Sequence, residues 1–417
     1  MKKVLIVIDG MGDLPDKRLG DKTPLEYAKT PNLDALTKKG QLGYMYPVNE
    51  TYAPESDTAV VGILGNDPLS SSRGQFEALG AGLKLKRGDL ALRANFGTVD
   101  NIKNRKMIDR RAGRTLTTKE AKQLANAINK EVKLPAKFKF VPTVQHRGVL
   151  VFYGGFSDNI TDTDTYQHEK GKIWVKDKFD WSKALDEDEN AEYTANLINS
   201  FIDQSFKVLK NHPINKIRKK RGLMPANIIL ARDPGIEMPK IKKFSKAMAI
   251  VNMPLEKGIC KAAGMDVYGF EYPKMKNYDA YENLNTGLNK MCSFAIRTLN
   301  RKGKKYNFCY IHIKETDVPG HDNKVLEKVK FLEMIDKKVF AFIKKYVEKK
   351  KIKLLVTADH STPCRLKTHT SDPVPVLFYD PNQKPDKTDS FSETQAKKGA
   401  LGKIIGKNLL KKAGFVY

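Results

Sequence analysis

The stretch K-V-L-I-V-I-D-G-M-G-D at residues 3–13 decides the fold. From Lys3 to Ile8 it is apolar without polar alternation, the pattern of a strand covered on both faces of a parallel sheet. At Asp9 the run stops, and Gly10 and Gly12 permit the sharp turns that end a strand. Similar runs lie at 308–313 and 353–357, and an aspartate follows each within a few residues: Asp317 and Asp359. Ligands of open parallel sheets bind outside the carboxyl ends of the strands. If these strands are neighbours, Asp9, Asp317 and Asp359 converge on one rim.

Working outward, Thr30 and Pro31 open a helix to about Lys39, and Ser56 opens another as its N-cap, ended by Gly65-Asn66-Asp67-Pro68. Ser70-Ser71-Ser72 with Gly74 suits a surface crossing. From 72 to 235 the character changes. Leu90 to Val99 alternates like a hairpin strand, Thr118 caps a helix to about Lys130, strands are predicted at 138–144 and 149–153, and 191–209 reads as a helix. The α/β pattern then resumes with helix 280–300, strand 308–313, helix 324–347, strands 353–357 and 374–378, and helix 394–412. The predicted class is therefore α/β: a central, mostly parallel sheet flanked by helices, built from 1–71 and 236–417, with an inserted α+β domain over 72–235.

At 417 residues the chain exceeds what one hydrophobic core usually fills, which agrees with two domains. No apolar run approaches bilayer length and the N-terminus lacks the apolar stretch of a signal peptide, so no membrane is expected. Four cysteines without C-x-x-C spacing argue against a disulfide frame or thiolate zinc site, and a cytoplasmic protein fits best. The formal charge of +27 raises nucleic-acid binding as an alternative. The lysines are scattered, however, with no aromatic-interleaved basic stripe, so no nucleic acid is expected. A basic surface that attracts a small phosphorylated acid is the better functional reading.

Of seven histidines, four (His312, His321, His360, His369) lie between 312 and 369. His321 follows Asp317 across a Pro-Gly turn, His360 directly follows Asp359, and His369 lies nine residues further on. Carboxylate oxygen with imidazole nitrogen is a donor set that Zn²⁺ or Mn²⁺ would choose. Three carboxylates and three imidazoles suffice for two metals once a further ligand is added, and Ser56 is the natural one. A helix N-terminus favours an anion, and a divalent cation would depress the hydroxyl pKa. Singly, each residue has a plainer reading: Ser56 as a cap, Asp317 as a turn former. Joint occurrence at strand ends favours the metal reading. His312 and Glu315 read as structural, since alternation on their strand could turn His312 away from the rim.

Taken together, these residues resemble the alkaline phosphatase superfamily, and more narrowly the archaeal-type cofactor-independent (2,3-bisphosphoglycerate-independent) phosphoglycerate mutases. The resembling stretches are 4–13, T-P-L-E-Y-A-K-T-P-N-L-D at 23–34 and P-E-S-D-T-A-V-V-G-I-L-G at 54–65. Others are R-G-Q-F-E-A-L-G-A-G at 73–82, M-I-D-R-R-A-G-R at 107–114, S-D-N-I-T-D-T-D at 157–164 and both C-terminal islands. The resemblance implies an alkaline-phosphatase-like domain with an insertion and two divalent metals, usually Mn²⁺ or Zn²⁺, sometimes Mg²⁺ or Co²⁺. Asp317, His321 and His369 would hold one; Asp9, Asp359, His360 and Ser56 the other. It further implies that Ser56 takes the phosphoryl group of 3-phosphoglycerate and returns it to the 2-hydroxyl, with no 2,3-bisphosphoglycerate primer. Relatives with other acceptors leave a homoserine kinase-like phosphotransferase or a phosphatase as alternatives.

Such a substrate carries a carboxylate and a phosphate, and arginine recognises both bidentately. Arg110, Arg111 and Arg114, with Arg93 on the preceding strand, are the expected substrate ligands, Arg111 also with a catalytic role. Asp162 or Asp164 would orient them or act as base, with Asp162 the catalytic choice. Lys246 and Lys257 are further phosphate contacts. Two departures fall in this half: Arg232 stands in Ala-Arg-Asp-Pro-Gly rather than before a glycine-rich turn, and Thr165-Tyr166 replaces a common Pro-His pair.

Overall fold

The structure, a computed structural model, describes residues 1–70, 72–169, 172–272 and 280–415. Ser71 of the expected crossing lies outside them. The larger sheet has eight strands in the order Asp266–Tyr268, Ala247–Ile250, Phe308–Ile313, Lys3–Ile8, Lys353–Thr357, Val374–Tyr379, Gln41–Tyr46 and Gly402–Ile405. Seven run the same way; Val374–Tyr379 alone is reversed, antiparallel to both neighbours. Val4 to Ile8 is wholly buried, as its unbroken apolar run requires. It pairs with Phe308–Ile313 on one side and Lys353–Thr357 on the other, both parallel. The carboxyl ends of three adjacent strands therefore deliver Asp9, Asp317 and Asp359 to one rim.

A second sheet belongs to the middle of the chain. Leu90–Val99 is central, with Arg147–Phe152 and Ile228–Gly235 on its two sides and antiparallel to both; Phe138–Pro142 and Met107–Asp109 complete it. Helices Thr118–Glu131 and Glu189–Asn211 cover its apolar face with Leu124, Ile128, Ile198 and Phe201. The two sheets have separate cores. They meet where helix Arg73–Gly80 lies on helix Pro254–Ala262. That contact is backbone to backbone: a Cβ on Gly80 would fall 1.7 Å from Pro254 O, and one on Gly258 1.8 Å from Phe76 O.

Several sequence expectations change. The helix expected over 394–412 is instead helix Glu393–Ala396, strand Gly402–Ile405 and a final turn Leu409–Lys412. Glycine is the reason: Gly399 lies too close to the Leu42 carbonyl for any side chain, and Gly402 has φ +59. Leu90–Val99 alternates, but all ten residues are buried, because its polar members Arg93, Asn95 and Thr98 meet buried partners or a cavity rather than open water. Strands Gln41–Tyr46 and Ala247–Ile250 carry too little pattern to be read from sequence. Glu55, not Ser56, is the N-cap residue, and Ser56 is the first residue of helix Ser56–Ile63. Thr117, in a capping box with Glu120, replaces Thr118 as the cap of the next long helix. Among the described residues no helix is long and apolar enough to cross a membrane.

Candidate active site

Ser56 enters the rim from the side, on a helix whose first turn follows Pro54-Glu55. Its Oγ lies 3.4 Å from His360 Nε2 and accepts a hydrogen bond from Lys314 Nζ at 3.0 Å. His360 Nε2 is 3.1 Å from Asp9 Oδ1 and 3.5 Å from Asp359 Oδ2. Beside this group, Asp317 gathers His321 Nε2 at 3.3 Å and His369 Nε2 at 3.6 Å, and the His360 and His369 rings stack at 3.7 Å. The seven residues expected as metal ligands thus lie in two adjoining groups. Thr362 ties them together: its hydroxyl donates to Asp317 Oδ1 at 2.7 Å and lies 3.0 Å from His360 Nδ1. Buried Lys328 bonds the carbonyls of Gly12 and Thr362 and the Asp13 carboxylate, holding the two ligand loops together.

The cluster is electrostatically unfinished. Among the described residues, Asp359 Oδ2, His312 Nε2 and His369 Nε2 are buried without hydrogen-bond partners, although buried polar atoms are normally satisfied. Burial opposes charge on His360, yet the Asp359, Asp9 and Asp317 carboxylates outweigh it and lift its pKa to about 9. Burial, with His360 next to it, pushes His369 down to about 4. A site that holds a proton against desolvation is one in which positive charge is welcome. His312, expected to face away, instead has Nε2 3.6 Å from Asp359 Oδ2. Glu315 accepts from Tyr272 OH at 2.8 Å and lines the cavity.

Above the rim lies a cavity of about 230 Å³, whose walls include Asp9, Ser56, His321 and His369 from below and Arg93, Arg110, Arg111, Arg114 and Arg232 from above. Asp164 fixes Arg110 with two 2.6 Å bonds, and Asp322 holds Arg114 at 2.9 Å. Arg111 makes no ion pair among the described residues; burial, then Arg110, Arg114 and Arg147, push its pKa down to about 9. Both Arg110 and Arg232 lie over the Tyr166 ring, at 4.8 and 4.6 Å, which gives the Thr-Tyr departure a physical purpose. Arg232 donates to both Glu55 oxygens, at 2.9 and 3.2 Å, and Arg73 also pairs with Glu55. Its altered surroundings therefore serve to hold the residue next to Ser56.

Asp359 and His360 lie beneath the cavity wall and Asp164 behind Arg110, and three further expected residues lie away from the cavity. Asp162 turns away to accept the Asp233 N–H at 2.9 Å. Lys246 is exposed at the start of strand Ala247–Ile250, the rim opposite the ligand loops. Lys257 sits on helix Pro254–Ala262 with its ammonium beside Gly269. Sequence reading in turn missed Lys314, Glu55, Arg73, Glu256 and His146. Lys314 pairs with Asp9 and, at 3.1 Å, with Glu256, so the position expected of Lys257 is filled from another strand end. Its only signal was adjacency to the 315–322 island. His146 is buried in the cavity wall, Nδ1 without a partner, and burial followed by the charges of Arg147 and Arg111 keeps it neutral.

Fold and site together define an α/β protein with a serine set in a carboxylate–imidazole cluster, facing an arginine-walled cavity at the carboxyl edge of its sheet. Residues 37–215 match the model of the 2,3-bisphosphoglycerate-independent phosphoglycerate mutase family. Curated proteins of that name are 38% identical in Thermococcus kodakarensis, covering 98% of this chain and 95% of that protein, and 40% identical in Pyrococcus furiosus, with the same coverages. A solved Pyrococcus horikoshii protein is similar with TM-score 0.76 and 31% identity, covering 100% of this chain and 98% of that one. A Thermoplasma acidophilum cofactor-independent phosphoglycerate mutase follows with TM-score 0.57 and 29% identity, over 100% and 99%. The chain belongs to the 2,3-bisphosphoglycerate-independent phosphoglycerate mutase family, a family of isomerases.

Proposed function

We propose that this protein interconverts 3-phosphoglycerate and 2-phosphoglycerate through a phosphoserine at Ser56, with two divalent cations, Mn²⁺ or Zn²⁺ in first place, held by the rim cluster. The observation that carries this is the pairing of Ser56 with a half-satisfied carboxylate–imidazole cluster directly beneath an arginine-walled cavity. The donor set fits such cations: Asp317, His321 and His369 would hold one, and Asp9, Asp359, His360 and the Ser56 oxygen the other. When bound, the cations supply Lewis acidity, lowering the serine pKa and neutralising phosphoryl oxygens.

The chain's own groups do the rest. Arg111, without an ion pair among the described residues, and Arg110 and Arg114, held in place by Asp164 and Asp322, bind the substrate carboxylate and phosphate. Lys314 donates to the Ser56 oxygen and is placed to follow the phosphoryl group as it arrives. The Ser56 Oγ–P bond forms as the P–O3 bond of the substrate breaks, the serine hydroxyl losing the proton that the leaving O3 takes up. Glycerate turns within the cavity, and the O2–P bond forms as the serine ester breaks, the proton lost by the 2-hydroxyl returning to the Ser56 oxygen. Phosphate is neither gained nor lost, so no bisphosphorylated primer enters. The division into residues 1–71 with 236–417, and 72–235, assigns the phosphoryl chemistry to the first part and the holding of the acid to the second.

The test is an enolase-coupled assay on 3-phosphoglycerate with Mn²⁺, with and without chelator, read beside release of inorganic phosphate. Mutase activity that disappears with EDTA is expected. Phosphate release without 2-phosphoglycerate would replace this reading with hydrolysis.

A further inference from the structure

We propose that His312 is a further cation ligand, a fifth donor to the site formed by Asp9, Asp359, His360 and Ser56. His312 lies on strand Phe308–Ile313, next to the Asp9 strand, and is wholly buried. Ligand atoms of Asp9, His312 and Asp359 all lie within 4.8 Å of one another. Its Nε2 is directed at Asp359 Oδ2 from 3.6 Å, too long for a hydrogen bond, and is buried without a partner among the described residues. A purely structural buried histidine would satisfy both nitrogens. The other nitrogen is satisfied: Nδ1 lies 2.8 Å from Tyr310 OH. One ring nitrogen held by a neighbouring group, the other bare among carboxylates, is the arrangement that orients metal-bound imidazoles. For Nε2 to offer its lone pair, Nδ1–H donates to the Tyr310 oxygen.

The consequence is selectivity. Two carboxylates and a hydroxyl alone would suit Mg²⁺, which prefers oxygen donors and water; a second imidazole tilts the site towards Zn²⁺, Mn²⁺ or Co²⁺. This inference rests on the reading that the cluster binds divalent cations, and its test separates the two. Co²⁺ is titrated into the full-length protein, the visible d–d bands give coordination number, and calorimetry gives affinity. Wild type is expected to bind two ions. His312→Gln should weaken one of them by about tenfold or more and change the band envelope of that site alone, while relative affinity for Mg²⁺ rises. Tyr310→Phe, which leaves His312 in place, should weaken the same ion by a smaller factor. Because His312→Gln removes a buried side chain, X-ray absorption on zinc-loaded wild type gives a reading free of variants: four imidazoles shared by two ions are expected, against three. Three imidazoles, or a His312→Gln spectrum identical to wild type with two ions bound, would overturn the inference and leave the mutase reading intact. Wild type that binds no Co²⁺ would overturn both.

Discussion

Arg232→Met should loosen the joint between the two sheets at Glu55, the residue before Ser56. Arg232, on strand Ile228–Gly235, is 3% exposed and donates two bonds to Glu55, itself 7% exposed. Removing one partner of a buried pair costs about 3–5 kcal/mol, because the remaining charge is stranded. Here the stranding is partial: Arg73 still pairs with Glu55, and burial of that carboxylate is already outweighed by Arg232 and Arg73 together. The lower end, about 3 kcal/mol, is therefore expected, a factor of roughly a hundred in the folding equilibrium. Glu55→Gln/Arg232→Met removes the stranded charge and should recover about 2 kcal/mol relative to additivity. Urea unfolding followed by tryptophan fluorescence measures this, since both tryptophans, Trp174 and Trp181, lie in the inserted half. A coupling below about 0.5 kcal/mol would refute the reasoning and reduce the Glu55–Arg232 pair to packing.

Other outcomes are expected. Ser56→Ala should lower turnover at least about a thousandfold in the coupled assay. Its stability should change by no more than about 1 kcal/mol, because the hydroxyl caps nothing and Lys314 keeps Asp9 and Glu256; retained turnover would remove Ser56 from its role. Arg111→Met should raise KM for 3-phosphoglycerate by about ten- to a hundredfold with a smaller fall in kcat and unchanged Mn²⁺ affinity by calorimetry; unaltered kinetics would make this arginine ordinary. Glu393 is half-buried, accepts from Thr23 OH at 2.7 Å and has its pKa pushed up to about 7, mainly by desolvation. Its folded pKa exceeds the unfolded value, so the stability present below about pH 4.5 is lost as pH rises towards 7, on the order of 3 kcal/mol. Urea midpoints measured from pH 4.5 to 7.5 should fall less steeply with pH in Glu393→Gln than in wild type, and parallel curves would contradict this.

Much of the rim was legible because its logic is local. An apolar run that stops at an aspartate marks a strand end, and Asp-His adjacency marks donors, so Asp9, Asp317 and Asp359 could be placed without knowing what lies between them. What escaped depends on cross-chain register. Lys314 and Glu256 look like any lysine and glutamate among many, and only strand pairing brings them to Asp9. His312 was expected to face away from the rim because alternation tells two faces apart but not which of them meets Asp359. In the inserted half, polar residues at alternate positions of Leu90–Val99 read as solvent-facing, whereas Arg93 and Asn95 face a buried anion cavity and its supports. The helix expected at 394–412 failed on glycines whose purpose is close approach to Gln41–Tyr46.

The glycine contact between helices Arg73–Gly80 and Pro254–Ala262 also constrains how the molecule can breathe. With backbones touching at Gly80 and Gly258, that seam is a weld: no substituent larger than hydrogen fits, and sliding either helix would drive carbonyl oxygens into neighbouring atoms. An opening of the cavity that keeps this line stationary would have to separate the far side, where Arg114 pairs with Asp322 at 2.9 Å. Arg114–Asp322 and the more deeply buried Arg232–Glu55 both cross between the two sheets' halves, and the helix seam itself is a row of missing methyl groups.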